Sequence, residues 1–267
     1  MPDKIFDELN APYNEILFKL RKSIDLDVLF PSGFEYIYLE RVDSTNKYAR
    51  EHSSDIENAV IAAGEQYAGV GKNGSKWIAS KDGSLIFTLV FTTSLDIEKA
   101  EMLPLFIGAA IHEALKLRGI SSYIKWPNDI YIEDKKLLGI LCESIISNGK
   151  IKKLIIGIGI NVNQTADELF SKKAVSLHSY TGKYFNRREL LNDILISILK
   201  RGSDPDNIKE FSRTAVNENL YLKNKYISFV LNKKYRGRLI GINDKGEIVI
   251  LTDEGLKVFS SGKIITE

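Results

Sequence analysis

Lys125-Trp126-Pro127-Asn128-Asp129, with Lys136 seven residues after the aspartate, is the stretch best equipped for chemistry. It puts an ammonium, a carboxamide and a carboxylate beside a strand end, and a second ammonium on the returning strand. Such groups suit an anionic, phosphorylated intermediate that an amine nucleophile then opens. A single Lys or Asp at a strand edge is ordinarily a solvated charge. A Trp-Pro-Asn-Asp run is harder to dismiss, because proline interrupts sheet pairing and Asn-Asp is turn chemistry.

Gly69-Val70-Gly71-Lys72-Asn73-Gly74 satisfies the G-x-G-x-x-G spacing. A dinucleotide site needs that loop to open a helix. Here Trp77 to Gly83 and then a strand follow, so no helix receives a pyrophosphate. A P-loop fails as well, since the segment ends Ser75-Lys76 rather than Lys-Ser or Lys-Thr. What survives is local physics. Glycines let successive N–H groups turn toward an anion, and Lys72 and Lys76 add positive charge. A mobile surface loop is the alternative, and a loop that closes over a bound anion satisfies both.

Two further segments carry double readings. Ser44-Thr45-Asn46 is a helix cap, or a set of small donors and acceptors facing a polar ligand. Gly157-Ile158-Gly159-Ile160-Asn161 has glycines inside a β-branched strand, which weaken it unless something must approach closely. The glycines serve either tight helix packing or a flat pocket wall with Asn161 at its polar end.

The elements that must position these groups follow from periodicity. Residues 5–24 read as an amphipathic helix, and Pro31-Ser32-Gly33 as punctuation. Strands are expected at 34–42, 59–63, 84–92, 123–126, 129–133, 136–146 and 152–162. A long apolar helix is expected over 97–117, irregular at Pro104 and closed by Gly119. Helices follow at 186–200 and 204–216, with Asp204-Pro205 as cap and first turn. From Leu220 onward, five short strands separated by turns have the spacing of a small β-barrel.

Composition narrows the class. The 267 residues carry a formal charge of +2, with 37 basic residues nearly balanced by 35 acidic ones. No basic stripe argues for nucleic acid, and Lys233 to Arg238 reads as a solvated strand face. One cysteine, Cys142, excludes an intramolecular disulfide, and its apolar setting suggests an inert thiol. Three histidines and one cysteine give no zinc spacing, so any metal ligand is unknown. The N-terminus lacks a signal-peptide pattern and no apolar run spans a bilayer, so a soluble cytoplasmic protein is expected, with no membrane partner.

In this order the segments resemble biotin protein ligases (biotin–[acetyl-CoA-carboxylase] ligases). The resemblance rests on Asp43-Ser44-Thr45-Asn46, Gly64-Glu65-Gln66, the glycine loop ending in Lys76-Trp77, Lys125 to Asp129, Lys135 to Leu141 and Gly157 to Asn161. It implies an α+β fold: a mixed β-sheet catalytic domain packed with helices, plus a small C-terminal SH3-like β-barrel. The expected division is a helical extension at 1–33, the catalytic domain at 34–217 and the small domain at 218–267.

The resemblance also implies a reaction. Biotin and MgATP form biotinyl-5′-AMP, and the biotinyl group passes to a lysine of a biotin carboxyl carrier protein. ATP with Mg²⁺ and biotin enter as substrates, with no tightly bound cofactor. Lys136, Asp129, Asn128 and Lys72 would be catalytic. Ser44, Thr45, Gln66, Gly69, Gly139, Leu141, Gly157 and Gly159 would hold biotin. Gly71, Lys72, Trp77, Asn128, Lys136 and Asn161 would meet the nucleotide. Asp129 would orient and deprotonate the acceptor amine, or else only cap the turn and pair with Lys125. Related enzymes also form homodimers through the sheet beside the site.

Two departures stand out. Val70 and Lys72 occupy positions where relatives usually carry arginines, and lysine lacks the bidentate fork. About thirty residues precede the catalytic region, too few for a winged helix-turn-helix, so no sequence-specific DNA binding is expected. A lipoate or octanoate transferase shares the architecture, but Trp-Pro-Asn-Asp and the C-terminal strands suit the biotin branch. A degenerate, non-catalytic biotin or carrier binder is supported only by the missing arginines.

Overall fold

The computed structural model describes residues 34–79, 81–202 and 205–265. The helix expected at 5–24, the punctuation at 31–33 and the cap at Asp204 lie outside them. The chain runs β1 (Phe34–Val42), α1 (Thr45–Glu51), β2 (Asn58–Gln66), β3 (Gly69–Val70), β4 (Lys76–Trp77) and β5 (Ser84–Asp96). Then come α2 (Leu103–Leu117), β6 (Tyr123–Lys125), β7 (Asp129–Ile132), β8 (Lys135–Ser147) and β9 (Lys150–Asn161). Three helices follow: α3 (Leu177–Thr181), α4 (Arg187–Gly202) and α5 (Pro205–Asn219). The last strands are β10 (Tyr226–Val230), β11 (Lys234–Ile242), β12 (Ile248–Thr252), β13 (Gly255–Phe259) and β14 (Lys263–Ile265).

Seven strands form one mixed sheet in the order β1-β2-β5-β9-β8-β7-β6. Only β1 and β2 run parallel, joined by the crossover that carries α1. The period of two sorts side chains by face. On β9, Ile156, Ile158 and Ile160 enter the main core. Gly157 and Gly159 therefore point to the opposite face, the face on which α1 sits. On β5, Phe87, Leu89 and Phe91 enter the same core, while Val90 packs with Ala49 of α1. Thr88, fully buried, shares that α1 face.

The long helix expected over 97–117 is divided. Ile97–Ala100 is a short 3-10 turn, and α2 begins at Leu103 with Pro104 in its first turn. Proline lacks the N–H that a helix interior needs, so the irregularity falls where that loss is harmless. The short α3 carries no apolar periodicity long enough to announce it. Its signal is a capping box: the Ser176 hydroxyl accepts from the Ser179 N–H, and the Ser179 hydroxyl accepts from the Ser176 N–H.

The last strands form an antiparallel sheet in the order β13-β12-β11-β10-β14, with no pairing between the two end strands. Within the basic cluster, Lys234, Arg236 and Arg238 are exposed on β11. This sheet is not a loose appendage. Phe229, Leu239, Ile248 and Ile250 share a core with Leu105 and Ala109 of α2 and with Trp126. The Trp126 indole N–H donates to the Gly246 carbonyl at 2.9 Å. The motif residue thus fastens the site-bearing hairpin to the C-terminal sheet.

Truncating this anchor should be costly. Trp126→Ala is expected to lower unfolding stability by roughly 3–5 kcal/mol through the cavity it leaves. Trp126→Phe should cost about 1–3 kcal/mol, for the stranded Gly246 carbonyl and lost area. Urea denaturation checks both, and an alanine variant as stable as the parent would remove Trp126 as the anchor.

Candidate functional site

A cleft of about 510 Å³ opens on the α1 face of the sheet. Its charged corner depends on an irregularity in β8. Asp129 pairs with Gly139 and Ile130 with Leu138, but Tyr131 then pairs with Lys136, skipping Leu137. Without that bulge, Lys136 would lie opposite Ile132, whose side chain enters the core. With it, Leu137 and Leu138 both enter the core, and Lys136 emerges on the same face as Asp129. The backbone at the bulge is satisfied from elsewhere. Lys136 N–H donates to the Lys173 carbonyl at 2.8 Å, and Val175 N–H donates to the Lys136 carbonyl at 3.0 Å.

Lys136 Nζ lies 2.7 Å from Asp129 Oδ1. That oxygen is buried and has no aligned hydrogen-bond donor. The pair is therefore a charge contact whose directional bonding capacity is still available to a ligand. Asp129 does not pair with Lys125, although the two are opposite in register. Lys125 donates to the Tyr131 hydroxyl at 3.1 Å. Its ammonium lies 4.4 Å from the Tyr131 ring centroid and 5.6 Å from that of Tyr221. Two aromatic faces hold it instead of the carboxylate.

Burial pulls the Lys125 ammonium below its usual value, Asp129 raises it in part, and Lys136, Lys263 and Lys173 lower it further. Lys72 is likewise lowered, by desolvation first and with Asp129 opposing, although much of the residue meets solvent. Lys263, from β14, lines the same cleft. These cations around one carboxylate create a field that attracts polyanions. Asn128 lines the cleft too, but its side-chain amide donates to the Ile140 carbonyl at 2.7 Å, and Ile140 N–H donates to the Asn128 carbonyl at 2.9 Å. It clasps the turn to β8.

The other end of the cleft is polar and neutral. Ser44 caps α1. Thr45 N–H donates to Gln66 Oε1 at 2.9 Å, and the Thr45 and Thr88 hydroxyl oxygens lie 2.8 Å apart. Between the two ends run Gly157 and Gly159. A Cβ on Gly159 would fall 2.4 Å from the Trp77 ring, and one on Gly157 would fall 2.2 Å from Asn46 Oδ1. The glycines exist so that those two side chains can lie flat on the sheet. Trp77 sits between the ends, its indole N–H buried without a partner and its ring 5.7 Å from Lys136 Nζ.

Most of the expected residues come together here. Ser44, Thr45, Gln66, Gly71, Lys72, Trp77, Asn128, Asp129, Lys136, Gly139, Leu141, Gly157 and Gly159 line one cleft. Two do not line it. Gly69 pairs with Trp77 in the β3–β4 ribbon. Asn161 is buried, opposite Ser84, and accepts from Gln164 at 3.3 Å. The sequence placed Asn46 among the donors and acceptors facing a polar ligand but gave it no role of its own, and it passed over Thr88, Glu143 and Lys263. A signal existed for two of them: Thr88 interrupts the apolar run Leu85 to Phe91, and Glu143 follows the apolar run Leu137 to Cys142.

Comparison with known proteins follows the same geography. The Biotin/lipoate A/B protein ligase family matches residues 38–161, and the Biotin protein ligase C terminal domain matches residues 224–266. The bifunctional ligase/repressor BirA of Bacillus spizizenii is 29% identical over 265 residues, covering 94% of this chain and 78% of the relative. The biotin–[acetyl-CoA-carboxylase] ligase of Paracoccus denitrificans is 28% identical over 242 residues, covering 85% and 98%. The structure of biotin protein ligase from Aquifex aeolicus in complex with biotin and ATP gives a TM-score of 0.74 at 32% identity, covering 86% of this chain and 97% of that one.

The chain has two tryptophans, so Trp77 can be watched alone in a Trp126→Phe background. Adding Gly159→Ala there should lift the indole off the sheet, red-shifting its emission and raising its quenching by acrylamide. Unchanged emission would show that Trp77 does not rest on Gly159.

Proposed function

The chain belongs to the biotin protein ligase family, and on that premise we propose how its cleft activates biotin with ATP and passes the biotinyl group to a carrier lysine. The observation that carries the assignment of roles is the Lys136–Asp129 contact at 2.7 Å, set beside a glycine-floored cleft with a neutral polar end.

In the first step a biotin carboxylate oxygen bonds to the α-phosphorus of ATP, and the bond to pyrophosphate breaks. Two anions must meet, so the barrier is largely electrostatic. Lys136 is assigned to the carboxylate and α-phosphate, with Lys72 and the loop N–H groups along the polyphosphate. Lys125 and Lys263 strengthen the same field. Mg²⁺ supplies further charge neutralisation as the nucleotide's counterion. Among the described residues no cluster of three or more His, Cys, Asp or Glu is placed to hold a metal, and Asp129 is the one carboxylate lining the cleft. A magnesium ion would be held mainly by the nucleotide's own phosphate oxygens and water, which asks for no cluster of protein carboxylates.

In the second step a carrier lysine loses a proton, attacks the acyl carbon, and gives up a second proton as the acyl–phosphate bond breaks and AMP departs. That lysine arrives protonated at neutral pH. Asp129 is assigned to orient the ammonium and take its first proton, which frees the lone pair that bonds to carbon; the second proton leaves to solvent as the adduct expels AMP. Ser44, Thr45 and Gln66 are assigned to the ureido ring. Residues 34–217 are assigned the catalytic unit and 218–267 the C-terminal one, whose Lys263 completes the rim. No helix among the described residues is long and apolar enough to cross a membrane. We assign the reaction to the cytoplasm, where a carboxylase carrier would be met.

The purified protein should catalyse ATP–pyrophosphate exchange that depends on biotin and is not supported by lipoate. Asp129→Asn should keep exchange within several-fold while slowing transfer to a carrier domain by roughly 10²–10⁴. Lys136→Ala should abolish both. Equal loss of the two steps in Asp129→Asn would remove its role as base. Separately, Lys72→Arg restores a guanidinium fork and should slow release of the biotinyl-adenylate, timed by filter retention; an unaltered rate would show that lysine already suffices.

A further inference from the structure

The polar end of the cleft is wired to a charge that does not itself line it. Glu143, on β8, accepts from Arg50 Nη1 at 2.7 Å through Oε1. Through Oε2 it accepts from Asn46 Nδ2 at 2.8 Å. An ionised carboxylate only accepts, so the Asn46 amide must turn its nitrogen to Glu143 and its oxygen the other way; the Leu141 carbonyl, 3.4 Å from the same nitrogen, is the weaker acceptor on that side. That oxygen faces the Thr88 hydroxyl at 2.7 Å, and an amide oxygen cannot donate. Thr88 therefore gives its single proton to Asn46 and keeps only lone pairs for Thr45, 2.8 Å away. Thr45 in turn donates to Thr88. Its remaining neighbour, Gln66 Oε1 at 3.3 Å, is also an acceptor, already receiving the Thr45 N–H. Nothing is left on the Thr45 hydroxyl for a ligand except lone pairs.

We propose that Glu143 is a positioning residue that sets the direction of every proton in the Thr45–Thr88–Asn46 relay, so that Thr45 selects ligands presenting an N–H there and rejects ligands presenting an acceptor. Resting on the reading above, the ligand group is a ureido N–H of biotin, and the relay is a specificity device for that end of the vitamin. The chain is buried at its middle: Thr88 is 0%, Thr45 3% and Asn46 6% exposed. At that burial a misdirected proton would leave a polar atom unpaired, so the wiring is enforced. Gly157 belongs to the same device, since its missing Cβ is what admits Asn46.

Arg50 makes the test directional. In Glu143→Gln the guanidinium still demands an oxygen, so the new amide must turn its nitrogen toward Asn46. Asn46 then flips, Thr88 donates to Thr45, and the Thr45 proton is left with only the long 3.3 Å contact to Gln66 Oε1, from which a ligand acceptor can draw it. The probes are biotin and its two cyclic carbamate analogues, each with one ureido N–H replaced by a ring oxygen. The readout is kcat/KM in ATP–pyrophosphate exchange. The wild-type enzyme should prefer biotin over one carbamate by roughly 10²-fold or more, because a site built for an N–H rejects its replacement by an acceptor. Glu143→Gln should narrow that ratio at least tenfold, with biotin KM raised. Adding Arg50→Ala should widen it again, since the introduced glutamine can then offer Asn46 its oxygen. Thr88→Val, which removes the acceptor of the Thr45 proton directly, should narrow it as Glu143→Gln does.

A Glu143→Gln enzyme that loses activity equally on biotin and both carbamates would overturn the proposal and leave Glu143 a structural ion-pair partner. A wild-type protein with no biotin-dependent exchange would instead overturn the ligase reading beneath it.

Discussion

One extra residue in β8 governs the charged end of the cleft. The bulge at Leu137 changes which face of the sheet Lys136 occupies, and a strand without it would send that ammonium toward the core. Burying an unpaired charge costs several kcal/mol, so the regular register is not merely less useful but unfavourable. The bulge is held from both sides. Leu137 and Leu138 are fully buried in the main core, and residues 173–175 take up the backbone groups at Lys136. Stability is not the reason for the ion pair it creates. Lys136 and Asp129 side chains remain 33% and 21% exposed, and pairs of that kind contribute about 1 kcal/mol at most. The strand irregularity brings two opposite charges together on the cleft side of the sheet.

The rest of the cleft follows from the opposite strategy, regularity. Alternation along β9 sends isoleucines to one side and glycines to the other. The isoleucine face closes the core. The glycine face is bare backbone, and three things use the space: the Trp77 ring, the Asn46 amide and the ligand cavity. The cationic end and the neutral end of the cleft are thereby joined by a flat apolar floor, the shape required by a molecule with a charged tail and an uncharged polar head. The C-terminal sheet enters through Trp126 on its buried side and Lys263 on its open side.

Much of this was legible beforehand. Strand and helix periods located nearly every element between 34 and 265, because both faces of β2, β5 and β9 are covered and such strands read as apolar runs. The capping role of Ser44 and the punctuation by Gly119 followed from local backbone chemistry. The motif residues Asn128, Asp129 and Lys136 were visible because a Trp-Pro-Asn-Asp turn has no better explanation. Lys125 was harder. Its register partner is Asp129, and only the arrival of Tyr221, ninety-six residues on in the chain, shows why the ammonium turns to aromatic faces instead.

Residue types and their order along the chain settled the class of chemistry, the strand and helix inventory and the groups able to meet an anion, since propensity, turn preference and side-chain charge are local properties. Three matters belonged to the tertiary structure: that Lys136 and Asp129 share a face, that Gln66, Thr88 and Glu143 converge on α1, and that a strand from the far C-terminus reaches the rim. Register, bulges and buried hydrogen-bond direction are set by partners distant in the chain, and one sequence read alone does not say which partners meet.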